Sequence, residues 1–284
     1  MNTTKKRKIA IVGLSKKEEI WDFLENLKKY EAKYNLEINH FIYSSKEFHL
    51  YNTISVDFNP EDYLAAISVG GDGTFLYVSR VFAGTDIPIF GVNFGQLGFN
   101  TNIEVKEFDF YFENFLENKA IFDYKTLLEV KIEGIEEKYL VLNEGVISHT
   151  GISRMIRLKV DLEGHSVCDF RGDGLIVSSP TGSTAYNLSA GGPIVHPAVD
   201  AFTVCPICPH TLAIRPFIIP FSETIHIKIE ESSAKAQITL DGQKIIELNS
   251  GQRISFKKSE KKIKFIKSQR NFYEVLKLKL GWVV

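Results

Sequence analysis

The chain has 284 residues, of which 44% are apolar and 24% are charged, and its formal net charge at pH 7 is −1. This composition is typical of a globular protein, and it argues against a nucleic-acid partner because binding to the phosphate backbone needs a basic surface. No segment approaches the roughly 18 consecutive apolar residues of a transmembrane helix, and there is no apolar signal-peptide core. We therefore expect a soluble, cytoplasmic protein with no membrane partner.

Short apolar segments alternate with amphipathic segments along the first hundred residues. The predicted order is strand 9–13, helix 16–34, strand 38–43, strand 63–69, helix 75–82 and strand 87–92. Apolar strands separated by amphipathic helices are typical of a parallel sheet that is covered on both faces. The sequence therefore predicts a Rossmann-like α/β domain over residues 1–120.

Strand-like segments dominate the chain after residue 120. They cover 127–132, 138–142, 157–162, 175–179, 224–229, 236–240, 244–248, 253–256 and 263–266. The alternation of charged and apolar residues in the last five predicts an antiparallel meander with one solvated face. We expect a β-sandwich-like domain over residues 121–267, whereas residues 273–280 are compatible with either a helix or a strand.

A glycine-rich loop, Gly70-Gly-Asp-Gly-Thr74, lies between a predicted buried strand and a predicted helix. Glycines at such a turn let backbone N–H groups approach a phosphate, and the helix N-terminus favours an anion. Thr74 is suited to cap the helix or to bind a phosphate. The loop matches neither the P-loop nor the Gly-x-Gly-x-x-Gly fingerprint. Asp72 is unusual in a phosphate cradle, although Gly-Asp-Gly is equally compatible with a tight turn.

A second loop, residues 93–99, follows the next predicted strand and ends at Phe99. In an open parallel sheet, the loops that follow the strands converge on the ligand crevice, so both glycine-containing loops predict one site. Phe99 is suited to stack on a flat ring, but a core position is equally compatible with its sequence context.

The segment 173–193 is dense in hydroxyl-bearing and small residues, which suit ribose and phosphate groups. A connection without a ligand is the alternative. Ser183 does not lie in the Gly-x-Ser-x-Gly elbow of serine hydrolases, which disfavours that class, although His196 or His210 remains a possible partner.

The three cysteines are too few and too odd in number for a disulfide framework. Cys205-Pro-Ile-Cys208 has metal-ligand spacing, with His210 close by, but a closed zinc site needs four ligands and only Cys168 remains. The two prolines near these cysteines favour a rigid buried turn. Asn143 and Glu144 at a strand end suit adenine or ribose hydroxyls, or form a turn, and 241–243 resembles a hairpin turn.

Together these segments resemble the NAD kinase family. The matching segments, in the order of the family, are 70–74, 93–99, 143–144, 173–193, 205–216, 241–243 and 280–282. The first motif is shared with diacylglycerol, sphingosine and 6-phosphofructo kinases, whereas Thr181-Gly-Ser-Thr-Ala-Tyr186 is more specific. Asn100, Gly145 and Ser179 depart from the commonest residues of the family at their positions.

The resemblance implies an enzyme that transfers the γ-phosphoryl group of ATP to the 2′-hydroxyl of the adenosine ribose of NAD, forming NADP. It implies a nucleotide site formed by both domains, a C-terminal tail (about 268–284) that packs on the first domain, and a homodimer or homotetramer. Mg²⁺ or another divalent metal is expected as a cofactor, without a protein side chain identified as its ligand.

The same resemblance implies the roles of particular residues. Asp72 is the expected catalytic residue, and Gly70, Gly71, Gly73 and Thr74 form the expected phosphate loop for ATP. The residues expected to bind NAD are Asp72, Gly73, Phe99, Asn143, Glu144, Arg154, Arg171, Asp173, Thr184, Ala185, Tyr186, Asn187, Ser189 and Gln243. A lipid or sugar kinase and a non-catalytic dinucleotide sensor remain the alternative functions.

Overall fold

The computed structural model describes residues 6–14, 18–43, 58–95, 97–151, 155–230 and 235–282. The chain divides into two compact units. One comprises Met1–Tyr124 with Lys262–Val284, and the other comprises Lys125–Lys261. None of the helices in these described ranges is long and apolar enough to cross a membrane.

The first unit alternates strands and helices. Its first elements are β1 (Arg7–Leu14), α1 (Glu18–Tyr34), β2 (Leu36–Tyr43), β3 (Tyr63–Val69), α2 (Asp72–Val81), β4 (Ile89–Asn93), β5 (Ile103–Glu104) and α3 (Phe108–Leu116). Neighbouring strands pair in parallel in the order β2-β1-β3-β4-β5. The predicted parallel α/β fold is confirmed, and α3 is an additional helix.

Burial explains why these segments form the sheet. Every residue of β4 is buried, and so is every residue of β3 except Leu64. Continuous burial is expected for a parallel strand that has both faces covered. Helix α1 buries Ile20, Phe23 and Leu27, whose helical spacing places them on one face.

The second unit consists mainly of antiparallel strands. Its elements are β6 (Phe122–Ile132), which begins in the first unit, β7 (Tyr139–Val141), β8 (Glu144–His149), β9 (Ile156–Leu162), β10 (His165–Gly172), β11 (Gly174–Ser178), α4 (Tyr186–Ser189), β12 (Ala201–Ile207), β13 (Phe217–Pro220), β14 (Ile225–Ile229), β15 (Ala236–Leu240), β16 (Lys244–Leu248) and β17 (Arg253–Ile266), which ends in the first unit. One sheet has the order β13-β12-β11-β8-β15-β16. Another set pairs in the order β10-β9-β14-β17. The predicted β-rich fold is confirmed.

The predicted meander over residues 224–266 is wrong in its connectivity. Among the described residues of this segment, only β15 and β16 pair as a hairpin, whereas β14 pairs with β9 and β17. The two segments 253–256 and 263–266 belong to one strand, β17. Alternation of charged and apolar residues shows which face of a strand is buried, but it does not specify the neighbouring strand.

The C-terminal segment is a helix, α5 (Phe272–Leu280), in the first unit. Asn271 and Glu274 form a reciprocal capping box at its start, and Gly281 ends it with a φ of 66°. These are strong signals for the ends of a helix. Just before the helix, Arg270 donates 2.7 Å hydrogen bonds to the carboxylates of Glu104 and Glu107.

Candidate active site

Asp72 is the first residue of α2 and directly follows the buried strand β3 and two glycines. Helix α2 begins after Gly71, and no side chain caps its N-terminus. Thr74 is therefore not the cap, which corrects one of the two roles suggested for it. The Thr74 side chain instead packs against Gly70, where an added Cβ would lie 2.7 Å from the Thr74 hydroxyl oxygen. Gly70 also has a φ of 151°, which favours glycine.

The backbone at Gly71 and Gly73 borders open space. A Cβ added at either position would meet no atom within 4 Å among the described residues. The backbone at the N-terminus of α2 is therefore accessible to a ligand. Because a helix N-terminus favours anions, this position suits a phosphate group.

The Asp72 carboxylate is held by three consecutive backbone N–H groups, at the last residue of the second predicted loop and the two residues that follow it. Its Oδ2 accepts from Phe99 at 3.0 Å, and its Oδ1 accepts from Asn100 at 2.9 Å and Thr101 at 3.1 Å. The Thr101 hydroxyl lies 3.2 Å from the same Oδ1 atom. Both loops predicted to converge are thus joined through Asp72 itself. The structure thus shows a role for the Phe99 backbone, in holding Asp72.

Gly98 makes this close approach possible. A Cβ at Gly98 would clash with Asp72 Oδ1 and with the Thr101 hydroxyl oxygen. Glycine is therefore required here by the position of the Asp72 carboxylate.

In the second unit, residues 142–144 connect β7 to β8 and are held on both sides of their backbone. Asp241 accepts hydrogen bonds from the N–H groups of Leu142, Asn143 and Glu144 at 2.8, 2.7 and 3.1 Å. On the other side, Ser179 donates to the Leu142 carbonyl through its hydroxyl at 2.6 Å and to the Asn143 carbonyl through its N–H at 2.8 Å. The sequence predicted a hairpin turn at 241–243 and indicated no role for the Asp241 side chain.

Glu144 lines a pocket of about 410 Å³ within the second unit. The lining residues are Glu144, Val146, Ser148, His149, Asp173, Tyr186, Ile207, Thr239 and Gly242. Glu144, Val146 and Ser148 alternate along β8 and so share one face of the strand. This period of two was a signal in the sequence that could have extended the predicted site beyond Glu144.

The Glu144 carboxyl group is buried, with 5% of the residue exposed. Burial, and then the nearby negative charge of Asp241, raise the pKa of Glu144 to about 8. Its Oε1 accepts from the Tyr186 N–H at 3.4 Å. Its Oε2 has no hydrogen-bond partner among the described residues. A buried polar atom without a partner is costly, so this group is suited to bind a ligand.

Asp173 lies at another part of the same pocket. Its Oδ1 is 3.7 Å from Nε2 of His149. Its carboxylate also accepts a hydrogen bond from Cys208, and this bond raises the pKa of the thiol. The pocket therefore carries two carboxyl groups and a histidine, which suit a ligand with several hydroxyl or amide groups.

The hydroxyl-rich segment forms short helical turns, Gly182–Thr184 and α4. Ser183 is fully buried; its hydroxyl donates to the Pro180 carbonyl at 2.7 Å and accepts from the Val195 N–H at 2.9 Å. These contacts do not fit a hydrolase nucleophile. The Asn187 side chain is also buried, and its nitrogen donates to the carbonyls of Ser183 and Pro193 at 3.1 Å.

The remaining predicted residues have different environments. Thr184 and Ala185 are partly buried, Ser189 and Arg171 are exposed, and Gln243 is buried in the turn that contains Gly242. Of the residues predicted to bind NAD, the structure brings Glu144, Asp173 and Tyr186 together in the pocket. Arg154 lies outside the described residues.

The predicted rigid buried turn at Cys205 is wrong. Cys205 and the following proline lie in strand β12, and Cys208 is exposed beyond its end. Proline is tolerated there because β13 pairs with β12 over Ala201–Val204, so Pro206 lies beyond the residues that pair with β13. Within the described ranges, no group of three or more His, Cys, Asp and Glu side chains is placed to hold a metal ion.

The chain combines an α/β unit, in which a glycine loop precedes helix α2, with a β-rich unit that contains an acidic pocket. Comparison with protein families specifies it further. The ATP-NAD kinase N-terminal domain model matches residues 25–120, and the ATP-NAD kinase C-terminal domain model matches residues 142–268. The chain belongs to the ATP-NAD kinase family.

Individual relatives agree over most of their length. The chain is 42% identical to an NAD kinase of Treponema denticola over 78% of the chain and 80% of the relative. It is 34% identical to an NAD kinase of Sulfurimonas denitrificans over 97% of both. The crystal structure of an NAD kinase from Archaeoglobus fulgidus in complex with ATP is similar with a TM-score of 0.77 and 27% identity, over 95% of this chain and 98% of that chain.

Proposed function

We propose that the protein transfers the γ-phosphoryl group of ATP to the 2′-hydroxyl of the adenosine ribose of NAD and so forms NADP. Membership of the ATP-NAD kinase family supports this reaction. The observation that carries the proposal is the arrangement of Asp72 at the start of α2. Its Oδ2 accepts one hydrogen bond from the described residues, that of Phe99. A carboxylate oxygen accepts about two, so Oδ2 can also accept one from a substrate hydroxyl.

Asp72 would act mainly by orienting the acceptor. Phosphoryl transfer depends on alignment and on neutralisation of charge more than on covalent chemistry by the protein. A carboxylate is a weak base compared with an alkoxide, so Asp72 would take the hydroxyl proton late, as the new P–O bond forms. The backbone cage from Phe99 to Thr101 keeps the carboxylate in place for this step.

The backbone at Gly71 and Gly73, where an added Cβ would meet no described atom within 4 Å, would hold ATP phosphates at the N-terminus of α2. A divalent cation such as Mg²⁺ would enter as a complex with the ATP phosphates, since the described residues provide no cluster of side chains to hold it alone. Bound in that way, the cation would neutralise part of the phosphate charge.

The second unit would bind the dinucleotide. Glu144, Asp173 and Tyr186 line its pocket and provide carboxyl and phenol groups for ribose hydroxyls and amides. Asn143 is adjacent, and its buried Oδ1 has no partner among the described residues. We assign supporting positions around the dinucleotide to Thr184, Ala185, Ser189 and Gln243, and we assign a purely positioning role to the Asn187 side chain.

NADP formation from NAD, ATP and Mg²⁺ by the purified protein tests the reaction, with an NADP-specific dehydrogenase as the readout. We expect Asp72→Asn to lose about 10²- to 10⁴-fold in turnover and to retain NAD binding. Turnover close to that of the wild type in this variant would remove Asp72 from the mechanism. If the wild type binds NAD but forms no NADP, the protein is a dinucleotide sensor or a kinase for another acceptor.

We also propose that the protein acts in the cytoplasm as a homodimer or homotetramer, which rests on its family membership alone. Light scattering of the purified protein measures its mass directly, and a monomer at enzyme concentrations that give full activity would contradict the proposed assembly.

A further inference from the structure

The backbone N–H and C=O groups of residues 142–144 are all hydrogen bonded within the second unit. Asp241 accepts from three consecutive N–H groups and returns one bond, from its own N–H to the Glu144 carbonyl at 2.9 Å. Asp241 lies about a hundred residues further along the chain, in the turn between β15 and β16. One side chain thus joins two distant segments beside the pocket.

The opposite side of the same segment is equally constrained. Ser178 and Ser179 donate to the carbonyl of Asn143, and Ser179 also donates to that of Leu142. A Cβ at Gly182 would clash with the Asn143 carbonyl oxygen, so this packing is close. The backbone polar groups of residues 142–144 are therefore all paired, whereas the Glu144 side chain lines the pocket.

The conformation of Asp241 is uncommon for a residue with a side chain. Its φ is 50°, in the left-handed region that glycine, asparagine and aspartate adopt most readily. Glycine would adopt this φ at lower cost but would leave three buried N–H groups without an acceptor. The carboxylate, rather than the shape of the turn, is therefore what the position requires.

We propose that Asp241 is a positioning residue for the dinucleotide: its carboxylate fixes residues 142–144 so that the Glu144 side chain is held in the pocket. This inference rests on the proposed function, in which that pocket binds NAD. Asp241 acts through Glu144 and does not itself line the pocket.

The charge relationship separates positioning from simple stabilisation. The other titratable groups at the pocket are His149, Asp173 and Tyr186. Because Asp241 is the nearby charge that raises the pKa of Glu144, removing that charge lowers it, whereas loss of stability elsewhere does not. The pH dependence of NAD affinity should therefore respond to Asp241 in a way that a structural role alone does not produce.

The experiment measures the Kd of NAD by calorimetry, with kcat and KM for NAD, from about pH 5 to about pH 9 for wild type and Asp241→Asn. Asparagine tolerates the positive φ, removes the charge and replaces one carboxylate oxygen by an NH2 donor, which cannot accept from the backbone N–H groups of residues 142–144. We expect the Kd and KM of NAD to rise by about 10- to 100-fold, and the midpoint of the affinity profile to move to lower pH. An unchanged Kd together with an unchanged midpoint would overturn the proposal.

Two further variants assign the effect. Arg270→Gln breaks ion pairs in the first unit and should lower stability without moving the midpoint. In a Glu144→Gln background, Asp241→Asn should no longer move the midpoint of the affinity profile. A shift that persists in that background would come from a group other than Glu144 and would contradict the proposal that Asp241 acts through Glu144.

If Asp241→Asn does not fold, Ser179→Ala provides the test. It removes the hydroxyl, which donates to the Leu142 carbonyl and accepts from the Gly182 N–H, and it keeps the Asp241 charge, so we expect weaker NAD binding with the midpoint unchanged. Wild-type affinity in this variant would show that the position of residues 142–144 does not matter. Calorimetry of NAD alone keeps this result separate from the reaction, because NAD affinity is measured even if the wild type forms no NADP.

Discussion

Asp72 and Thr101 are joined twice through one atom: Oδ1 of Asp72 accepts both the Thr101 N–H at 3.1 Å and the Thr101 hydroxyl at 3.2 Å. The two residues lie on different elements, since Asp72 starts α2 and Thr101 precedes β5. The orientation of the proposed catalytic carboxylate is therefore determined by the loop opposite it as well as by its own helix.

Gly98→Ala should disable this arrangement without altering Asp72. The added methyl group would clash with Asp72 Oδ1 and must displace the carboxylate or the loop. We expect turnover to fall by about 10- to 100-fold, because small misplacements of reacting groups have effects of this size. Steady-state NADP formation measures it, and Thr101→Val is the matched variant that removes the hydroxyl, with its hydrogen bonds to Asp72 and from Asn93, and adds no clash. Equal, near-normal turnover in both variants would contradict a positional requirement at Asp72.

Gly71→Ala should impair ATP use while preserving the fold. Its Cβ meets nothing within 4 Å of the described protein, but it would occupy the space proposed for the phosphates. We expect a rise of about tenfold or more in KM for ATP and a thermal midpoint close to that of the wild type. Gly91→Ala is the control, because its Cβ would clash with the Asn100 carbonyl and should lower the thermal midpoint. Normal KM for ATP in Gly71→Ala would remove this loop from the ATP site.

Glu144 should make the ligand-free protein less stable as the pH rises. Its pKa is raised from 4.5 to about 8 in the folded state, so between these values the folded state binds more protons than the unfolded state. By linkage, the stabilisation by protonated Glu144 is complete below about pH 4.5 and is lost as the pH rises through about 8. Each pKa unit corresponds to about 1.4 kcal/mol, so the effect is on the order of a few kcal/mol.

Urea unfolding at about pH 5 and about pH 8.5 measures this effect as the difference between wild type and Glu144→Gln. We expect the variant to gain stability relative to wild type at the higher pH and to differ little at the lower one. A difference that is the same at both pH values would show that Glu144 does not titrate in this range.

Arg270→Gln should destabilise the first unit. Arg270 donates to both Glu104 and Glu107, and its guanidinium holds the pKa of Glu107 below the usual range. We expect a loss of about 1 kcal/mol in the free energy of unfolding at neutral pH, because about a third of each carboxylate side chain is exposed and solvent weakens the ion pairs. A depressed carboxyl pKa contributes stability above its unfolded value, so the difference from wild type should shrink as the pH falls below about 4.5. Denaturation of wild type and Arg270→Gln at neutral pH and below about pH 4.5 measures this difference. An equal loss of stability at the two pH values would contradict an ionic contribution from Arg270.

The sequence predicted the elements that depend on local pattern. Strands β1, β3 and β4 and helix α1 were evident from apolar periodicity, and the change to a β-rich second part was evident from alternation. The pairing of β14 with β9, and not with the next strand β15, was not evident from the sequence, because the apolar pattern of a strand does not identify the strand with which it pairs.

The residues of the candidate site also differ in whether a local sequence pattern indicates them. Gly70 and Asp72 were predicted from their order in the chain, since a glycine turn between strand and helix has a local signature. The cage at Phe99 and the carboxylate of Asp241 were not, because each depends on contacts between segments far apart in sequence. Asp241 gave only a turn signal, which its positive φ satisfies.

Gly145 and Phe256 set a limit on how the second unit can be re-engineered. A Cβ at Gly145 would lie 2.5 Å from the Phe256 ring, and Phe256 is fully buried. We therefore expect a larger side chain at position 145 or a smaller one at position 256 to lower stability when introduced alone, and to be tolerated when the two are combined, because residues in contact are energetically coupled. A mutant library that aims to reshape the neighbourhood of Glu144 should vary these two positions as a single coupled pair.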